Sequence, residues 1–408
     1  MISIRSHSWL TKILLFLFAF SIPLQNRLII PEVGTATKVL GLLLIVVILF
    51  RMVYLRQSIK LGNIGIVLVI WLFLYGISYF WSISPQFTLT FLGIYLAVAF
   101  LYIMLVNIFR LKGFIQYGML GFIVGGFALA FLQFQSYVSG NQMGGRVFIE
   151  GFNPNGVAYY MVFTSAFLVM YKNRFVRDHI FINKIIPYVG LLILLIGVVT
   201  TGSRGGFIAE MVVVAFVLLG LLRESKNLLN RLLLISVMIV GGLTSLFYLN
   251  NYRFDVFDFQ RFEELGYEIT SGDFSGRGDI WRGGIQLFVD NPIYGYGGGS
   301  FREAIIASYG ESIAPHNGFL ATAVDLGVIG FIVIVSIWLH ILILIRRNRN
   351  KNFDIMTCYV VLFMSWLSAN MEYQEVNWFI FATMVSLSTA VLSKPVTTQS
   401  EALTYRVN

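Results

Sequence analysis

Apolar residues along this chain come in long runs divided by short polar breaks. A helix needs about 20 apolar residues to cross a hydrocarbon core of about 30 Å. By that ruler the runs 9–25, 37–55, 62–81, 87–109, 114–135, 155–171, 184–201, 205–222, 231–249, 324–345, 354–370 and 376–393 are each read as a crossing. The expected fold is an all-α polytopic membrane protein of about twelve transmembrane helices. One stretch departs from the rhythm: from Asn250 to His316 the chain is polar, rich in glycine and charge. Inside it Ile280, Trp281, Ile285, Leu287 and Phe288 stand at partly helical spacing, predicting an amphipathic helix over 279–289 on the outer membrane surface. Asn291-Pro292 ends that helix, and Gly295 with Gly297 to Gly299 predicts a flexible or tightly turned loop. Four parts result: nine helices in 1–249, one large extracytoplasmic loop with short amphipathic helices in 250–316, three helices in 317–393, and a polar tail in 394–408.

Composition agrees with that pattern. The 408 residues are 57% hydrophobic and 12% charged, with a mean hydropathy of +0.79, whereas soluble domains are about a quarter charged. The net charge of +9 does not point to nucleic acid, because no basic stretch is interleaved with aromatics. Lys and Arg instead cluster between the apolar runs: Arg5 and Lys12, Arg51 to Lys60, Arg110 and Lys112, Lys172 to Lys184, Arg223 to Arg231, Arg346 to Lys351, and Lys394 with Arg406. Read by the positive-inside rule, these alternate breaks are cytoplasmic, which places both termini inside and the 250–316 stretch outside. A site there has no access to ATP or nucleotide sugars. The first run resembles a signal peptide without a cleavage site and is read as a retained span. The single cysteine, Cys358, excludes an internal disulfide or a cysteine-built metal site.

Polar chemistry in such a protein is confined to its wet edges. Arg204 lies in Thr200-Thr201-Gly202-Ser203-Arg204-Gly205-Gly206, at the outer start of a crossing. The positive end of that helix and its first amides suit an anion such as a diphosphate; the alternative is an arginine snorkelling to lipid phosphate. Arg277, between Gly276 and Gly278, and Arg282 on the amphipathic helix carry guanidinium forks that can grip phosphate through two hydrogen bonds. His316, after Pro315 and at the start of a helix, is the one histidine of four placed at the outer boundary. A helix N-terminus lowers its pKa and favours the neutral, proton-accepting imidazole of a general base. Glu210 and Asp325 fall within apolar runs, where an unpaired charge costs at least about 2.5 kcal/mol, so each is expected to pair with an arginine or to line a wet chamber. The acids of the polar stretch show no metal-ligand spacing, the Gly-rich run lacks a P-loop ending, and Ser300, Ser308 or Ser312 with His316 lack a nucleophile turn. No metal or cofactor is called for.

Taken in order, Gly202-Ser203-Arg204-Gly205-Gly206, Gly276-Arg277-Gly278-Asp279-Ile280-Trp281, Asn291-Pro292-Ile293-Tyr294-Gly295-Tyr296-Gly297 and His316-Asn317 followed by Gly327-Val328-Ile329-Gly330 resemble the O-antigen ligase and polymerase superfamily. Asn153-Pro154-Asn155 resembles a further outer-loop element of the same group. The resemblance implies a membrane glycosyltransferase of the GT-C kind in the bacterial inner membrane, metal-independent and inverting, with its active site on the periplasmic face. It would take a glycan from undecaprenyl diphosphate and place it on an acceptor hydroxyl, a lipid A core or a growing glycan, beside other polysaccharide-assembly proteins. By the same carry-over Arg204 and Arg277 hold the diphosphate, His316 deprotonates the acceptor, and Arg282, Asn317, Ser203 and Asn155 contribute to substrate binding. The glycine-rich 297–300 stretch resembles the polymerase branch as much as the ligase branch. A protein O-oligosaccharyltransferase of the superfamily is an alternative, and a flippase of lipid-linked oligosaccharide is a reading from another class.

Overall fold

The computed structural model describes residues 6–111, 113–143, 146–176, 186–224, 277–310, 314–347, 352–369 and 371–390. Among them the chain forms thirteen α-helices. They are α1 (Ser6–Ser21), α2 (Ala36–Tyr54), α3 (Gly62–Ile77), α4 (Pro85–Phe109), α5 (Phe114–Val138), α6 (Pro154–Phe175), α7 (Ile186–Thr200) and α8 (Arg204–Glu224), then α9 (Gly278–Asp290), α10 (Phe301–Tyr309), α11 (Gly318–Arg346), α12 (Phe353–Ser368) and α13 (Glu375–Ala390). Two antiparallel pairs of two-residue strands sit in the connections, Ile29–Ile30 with Gly34–Thr35 and Gln142–Met143 with Arg146–Val147. Eleven helices coincide with apolar runs of the sequence. The twelfth run, 231–249, the acidic 250–276 segment and the 394–408 tail lie outside the described residues.

Among the described residues six helical stretches are long and apolar enough to cross a membrane: Ala36–Tyr54, Gly62–Phe80, Pro85–Phe109, Phe114–Val138, Arg204–Arg223 and Gly318–Arg346. Trp9–Ser21, Ile186–Thr200 and Phe353–Ser368 are apolar but shorter. Two helices, α6 and α13, fall outside both groups because they occupy the middle of the bundle. Their Thr164, Ser165, Asn377 and Thr383 are buried among other helices, away from lipid. Thr164 and Thr383 donate back to the carbonyls of Tyr160 and Phe379. The outer helices show the reverse pattern, with Leu42, Val46 and Phe50 of α2 and Phe73 of α3 more than 60% exposed. Helix α1 lies close against α5, since a Cβ at Gly121 or Gly125 would meet the carbonyl oxygens of Phe16 and Phe20 at 2.3 Å. Small residues four apart permit such backbone contact in membrane bundles.

Local chemistry fixes several starts. Thr35 caps α2, accepting from the Lys38 amide at 3.3 Å, and Asn153 caps α6, accepting from the Asn155 amide at 2.9 Å, with Pro154 at the first helical position. Antiparallel packing then sorts the helix ends onto two faces. At one face lie the end of α1 against the start of α2 (Thr37 Oγ1 to Ser21 O, 3.0 Å) and the end of α5 against that of α7 (Gln133 Nε2 to Thr200 Oγ1, 3.3 Å). The starts of α6, α8, α11 and α13 join them, with all of α9 and α10. The opposite face gathers cations: Lys12 stands over the rings of Phe114 and Tyr117, Arg51 over Phe114, Lys172 over Tyr188 and Arg223 over Phe353.

Helix α11 starts at Gly318, six residues before the apolar run that announced it, because Asn317 caps it through the amides of Phe319 and Leu320, both at 3.1 Å. It is broken at Gly327, which sits at φ 63° and ψ −162°, a conformation essentially restricted to glycine. The break frees backbone groups inside the apolar zone, and the 291–300 loop satisfies them. The amides of Tyr296 and Gly297 donate to Val324 O and Asp325 O at 2.9 and 2.8 Å, and Val328 N donates to Pro292 O at 2.7 Å. The loop is therefore tightly turned and inserted into the helix, as irregular backbone at such depth must be. Its glycines permit the fit: a Cβ at Gly297, Gly298 or Gly299 would collide with Ser82, Tyr75 or Phe91 at 2.3 to 2.5 Å. Helix α9 does form where the apolar spacing predicts it, yet its buried Leu287 packs with Phe301, Ala304, Ile305 and Val324 in a second small core. It is one wall of a cap on α11.

Candidate functional site

Four helix ends meet at Ser368, the last residue of α12. Tyr159, one turn into α6, shares a short hydrogen bond between its hydroxyl and Ser368 Oγ. Arg277, the residue before α9, donates from Nη1 to Ser368 O at 2.9 Å. The first turn of α8 completes the junction, since a Cβ at Gly205 would stand 3.1 Å from the Tyr159 hydroxyl and 3.5 Å from Ser368 Oγ. The backbone next to Arg204 thus lies against the same serine that holds Arg277. The turn before it is fixed internally: Gly202 is left-handed (φ 61°), Thr201 Oγ1 accepts from the Ser203 amide at 3.2 Å, and Ser203 Oγ accepts from the Gly206 amide at 3.2 Å. Ser203, only 2% exposed, serves as the cap of α8.

His316 is within electrostatic reach of Arg277. It occupies the left-handed region (φ 48°) without being a glycine, a conformation that needs its neighbours to hold it. Pro315 before it accepts at its carbonyl from Trp281 Nε1 of α9 at 3.1 Å, and Asn317 after it is committed to capping α11. The half-buried imidazole has its pKa lowered, first by burial and then by the Arg277 charge. Burial and the neighbouring guanidinium thus favour the same neutral state that the helix N-terminus was expected to favour. Both act in the same direction, toward a proton acceptor at neutral pH.

The loop carrying His316 also forms a wall of a cavity of about 230 Å³, to which Ala314 and Pro315 contribute. Its other walls include Tyr75, Tyr95, Phe91, Tyr373, Asp325 and Glu372. Asp325 accepts from the amides of Gly299 and Phe301 at 2.9 and 2.7 Å, so its carboxylate caps α10 while lining the chamber. Glu372, between α12 and α13, has its pKa raised to about 7, chiefly by burial, with Asp325 adding to it. Glu210, expected to pair with an arginine or to face the chamber, is wholly buried and accepts from Ser165 Oγ at 2.7 Å. Among the described residues neither Asp325 nor Glu210 has an arginine as its hydrogen-bond partner; Asp325 takes backbone amides and Glu210 the Ser165 hydroxyl.

The remaining candidates are placed further out. Arg282 is 79% exposed at its side chain and pairs with Asp279 three residues before it. Asn155 stands half-buried in the first turn of α6, one turn before Tyr159 on the same face. Ser300, whose pairing with His316 lacks a nucleophile turn in the sequence, shares a hydrogen bond of 3.0 Å with Ser82 through their hydroxyls. Tyr159, Ser368 and Glu372 were not anticipated from sequence. The one available signal was the polar break Asn370-Met371-Glu372-Tyr373-Gln374-Glu375, an acidic turn on the face opposite the cationic one.

Residues 189–335 match the family model described as O-antigen ligase. The matched stretch holds Ser203, Arg204, Arg277, Arg282, His316 and Asn317, while Asn155, Tyr159, Ser368 and Glu372 fall outside it. No curated protein and no solved structure matches the chain.

Proposed function

We propose, for a chain whose residues 189–335 match the O-antigen ligase family model, the transfer of a glycan from undecaprenyl diphosphate to an acceptor hydroxyl at the outer face of the inner membrane. The observation that carries the reading is the junction at Ser368, which sets Arg277 beside the head of α8 on one side and within electrostatic reach of His316 on the other. Arg277 and Arg204 bind the donor diphosphate, helped by the positive end of α8. His316 takes the acceptor hydroxyl proton as the oxygen attacks the anomeric carbon. The new C–O bond forms as the bond to the phosphate oxygen breaks, with inversion, and the arginines neutralise the charge gathering on the departing diphosphate. No metal ion is required in that scheme, because guanidinium groups supply the charge.

The cationic face, with Lys12, Arg51, Lys172 and Arg223, is then cytoplasmic. The deciding experiment compares the wild type with His316→Ala in the native organism, by gels and mass spectra of surface glycan and of undecaprenyl-linked intermediates. Full-length polymer retained on undecaprenyl diphosphate identifies a ligase; single repeats identify a polymerase. A profile like the wild type at normal protein levels sinks the assignment.

One observation favours a transporter instead: the broken α11, since discontinuous helices line many transport sites. In this protein the break is filled by the chain's own 291–300 loop through three backbone hydrogen bonds, which favours a fixed scaffold. Translocation of labelled lipid-linked oligosaccharide in vesicles without glycan transfer would restore transport.

A further inference from the structure

We propose that the cavity beside His316 is an acceptor-sugar subsite, in which Glu372 and the rings of Phe91 and Tyr373 hold one pyranose of the acceptor glycan. The proposal rests on the transferase reading above and adds to it where the acceptor lies and what recognises it. Size is the first argument. The cavity, about 230 Å³, is smaller than the roughly 300–1,000 Å³ of sites for drug-sized ligands, which suits one ring at the end of a chain whose remainder stays outside.

Wall chemistry is the second argument. A pyranose presents apolar C–H faces and a rim of hydroxyls, so it is recognised by aromatic rings together with a hydrogen-bonding carboxyl group. Phe91 and Tyr373 meet edge to face with centroids 5.6 Å apart, and Tyr75 and Tyr95 lie 4.9 Å apart behind them. Of the two acids, Asp325 is occupied by the amides of Gly299 and Phe301. Glu372 is only 8% exposed, and among the described residues its Oε2 has no hydrogen-bond partner. A buried acceptor of that kind needs a donor, and a sugar hydroxyl is one. Arg302 at the rim supplies a donor for the next residue of the glycan.

Position is the third argument. A Cβ at Gly318, two residues beyond His316, would stand 3.1 Å from that same Oε2, and Ala314 and Pro315 line the cavity immediately before it. The His316 loop therefore borders the acid and aromatic chamber and also comes within electrostatic reach of Arg277 at the Ser368 junction. A base between donor and acceptor is the arrangement that direct displacement requires.

The test uses the full chain in detergent. Its probe is the lipid-free, phosphate-free repeat-unit oligosaccharide released by mild acid from the native surface polysaccharide, followed by saturation-transfer-difference NMR. Wild type and His316→Ala are expected to bind it. Glu372→Leu, which removes the hydrogen-bonding group, and Ala314→Trp, a loop substitution that fills the chamber, are expected to weaken it at least tenfold. Binding equal to wild type in both variants, or no binding by the wild type, overturns the subsite. Release of undecaprenyl diphosphate from lipid-linked donor is measured in the same preparations. Oligosaccharide binding that depends on Glu372, with no release, removes the transferase reading and keeps the sugar site; release without such binding does the opposite.

Discussion

Helices α6 and α12 run antiparallel, and an arginine is fastened at each end of the pair. On the cationic face Arg174, from α6, meets Asp354 of α12 as a fork: Nε to Oδ2 and Nη2 to Oδ1, both at 2.7 Å, with Asn352 Oδ1 at 3.4 Å. Both partners are largely buried, at 14% and 5% exposed. On the opposite face Tyr159 of α6 and Ser368 of α12 share a hydrogen bond, and Arg277 donates to the Ser368 carbonyl. The Arg174 guanidinium is met by a carboxylate, whereas Arg277 donates to a peptide oxygen and its charge acts on the neighbouring His316. The same two helices are thus clamped at one end and fitted with a positioned charge at the other.

The comparison breaks most sharply under alanine. Arg174→Ala strands a buried carboxylate, which costs about 3–5 kcal/mol. Its thermal midpoint in detergent should fall steeply, while the protein that remains folded keeps transfer activity. Arg277→Ala should do the reverse, with near-normal melting and transfer lowered by roughly 10²–10³-fold, the scale of losing one group that stabilises developing charge. If both variants lose stability alike, the difference between the two ends is illusory.

Gly327→Ala probes how the site-bearing end is built. An added Cβ would meet Ile293 O at 2.2 Å, in a backbone conformation that alanine resists. Strain of this kind costs about 1–3 kcal/mol before the collision is counted. The melting temperature should fall and the 291–300 loop should become open to proteolysis; an unchanged protease pattern would show that the loop does not depend on the break. Arg277→Lys is milder, keeping the charge and losing the fork. About a tenfold loss of transfer with unchanged melting is expected, and full activity would argue that charge alone is used.

How much of this was readable beforehand follows from where each residue sits in the chain. The helices announced themselves because burial in lipid demands long apolar runs, so α2 to α5 follow the sequence closely. Arg204, Arg277 and His316 stood out as polar residues at the rims of such runs. Tyr159 and Ser368 did not, because each falls within an apolar run of the sequence, and only the packing of α6 on α12 makes them partners. The glycines at 297–299 suggested a flexible or tightly turned loop; it is tightly turned, and their lack of side chains serves close approach to Ser82, Tyr75 and Phe91. Likewise the fragments around Pro292 and Gly327 looked like separate signals. They are two halves of one joint, a relation that spacing along a chain cannot express.

The smallest effect tests the electrostatic half of the comparison. His316 has its pKa lowered from the ordinary 6.5 by burial first and by Arg277 second. A base works only when unprotonated, so transfer should be constant near neutral pH and fall as the medium is acidified through a midpoint below 6.5. In kcat/KM that midpoint reports the free protein. Arg277→Gln removes the second cause and leaves the first, so whatever activity survives should show its acid limb moved upward, yet still no higher than 6.5. Arg174→Gln, at the far end of the same helices, should not move it. An acid limb that stays fixed in Arg277→Gln would mean that the guanidinium is too well screened to tune the imidazole. The two ends of the pair would then differ only in what they hold, and the charge at Ser368 would act on the donor alone.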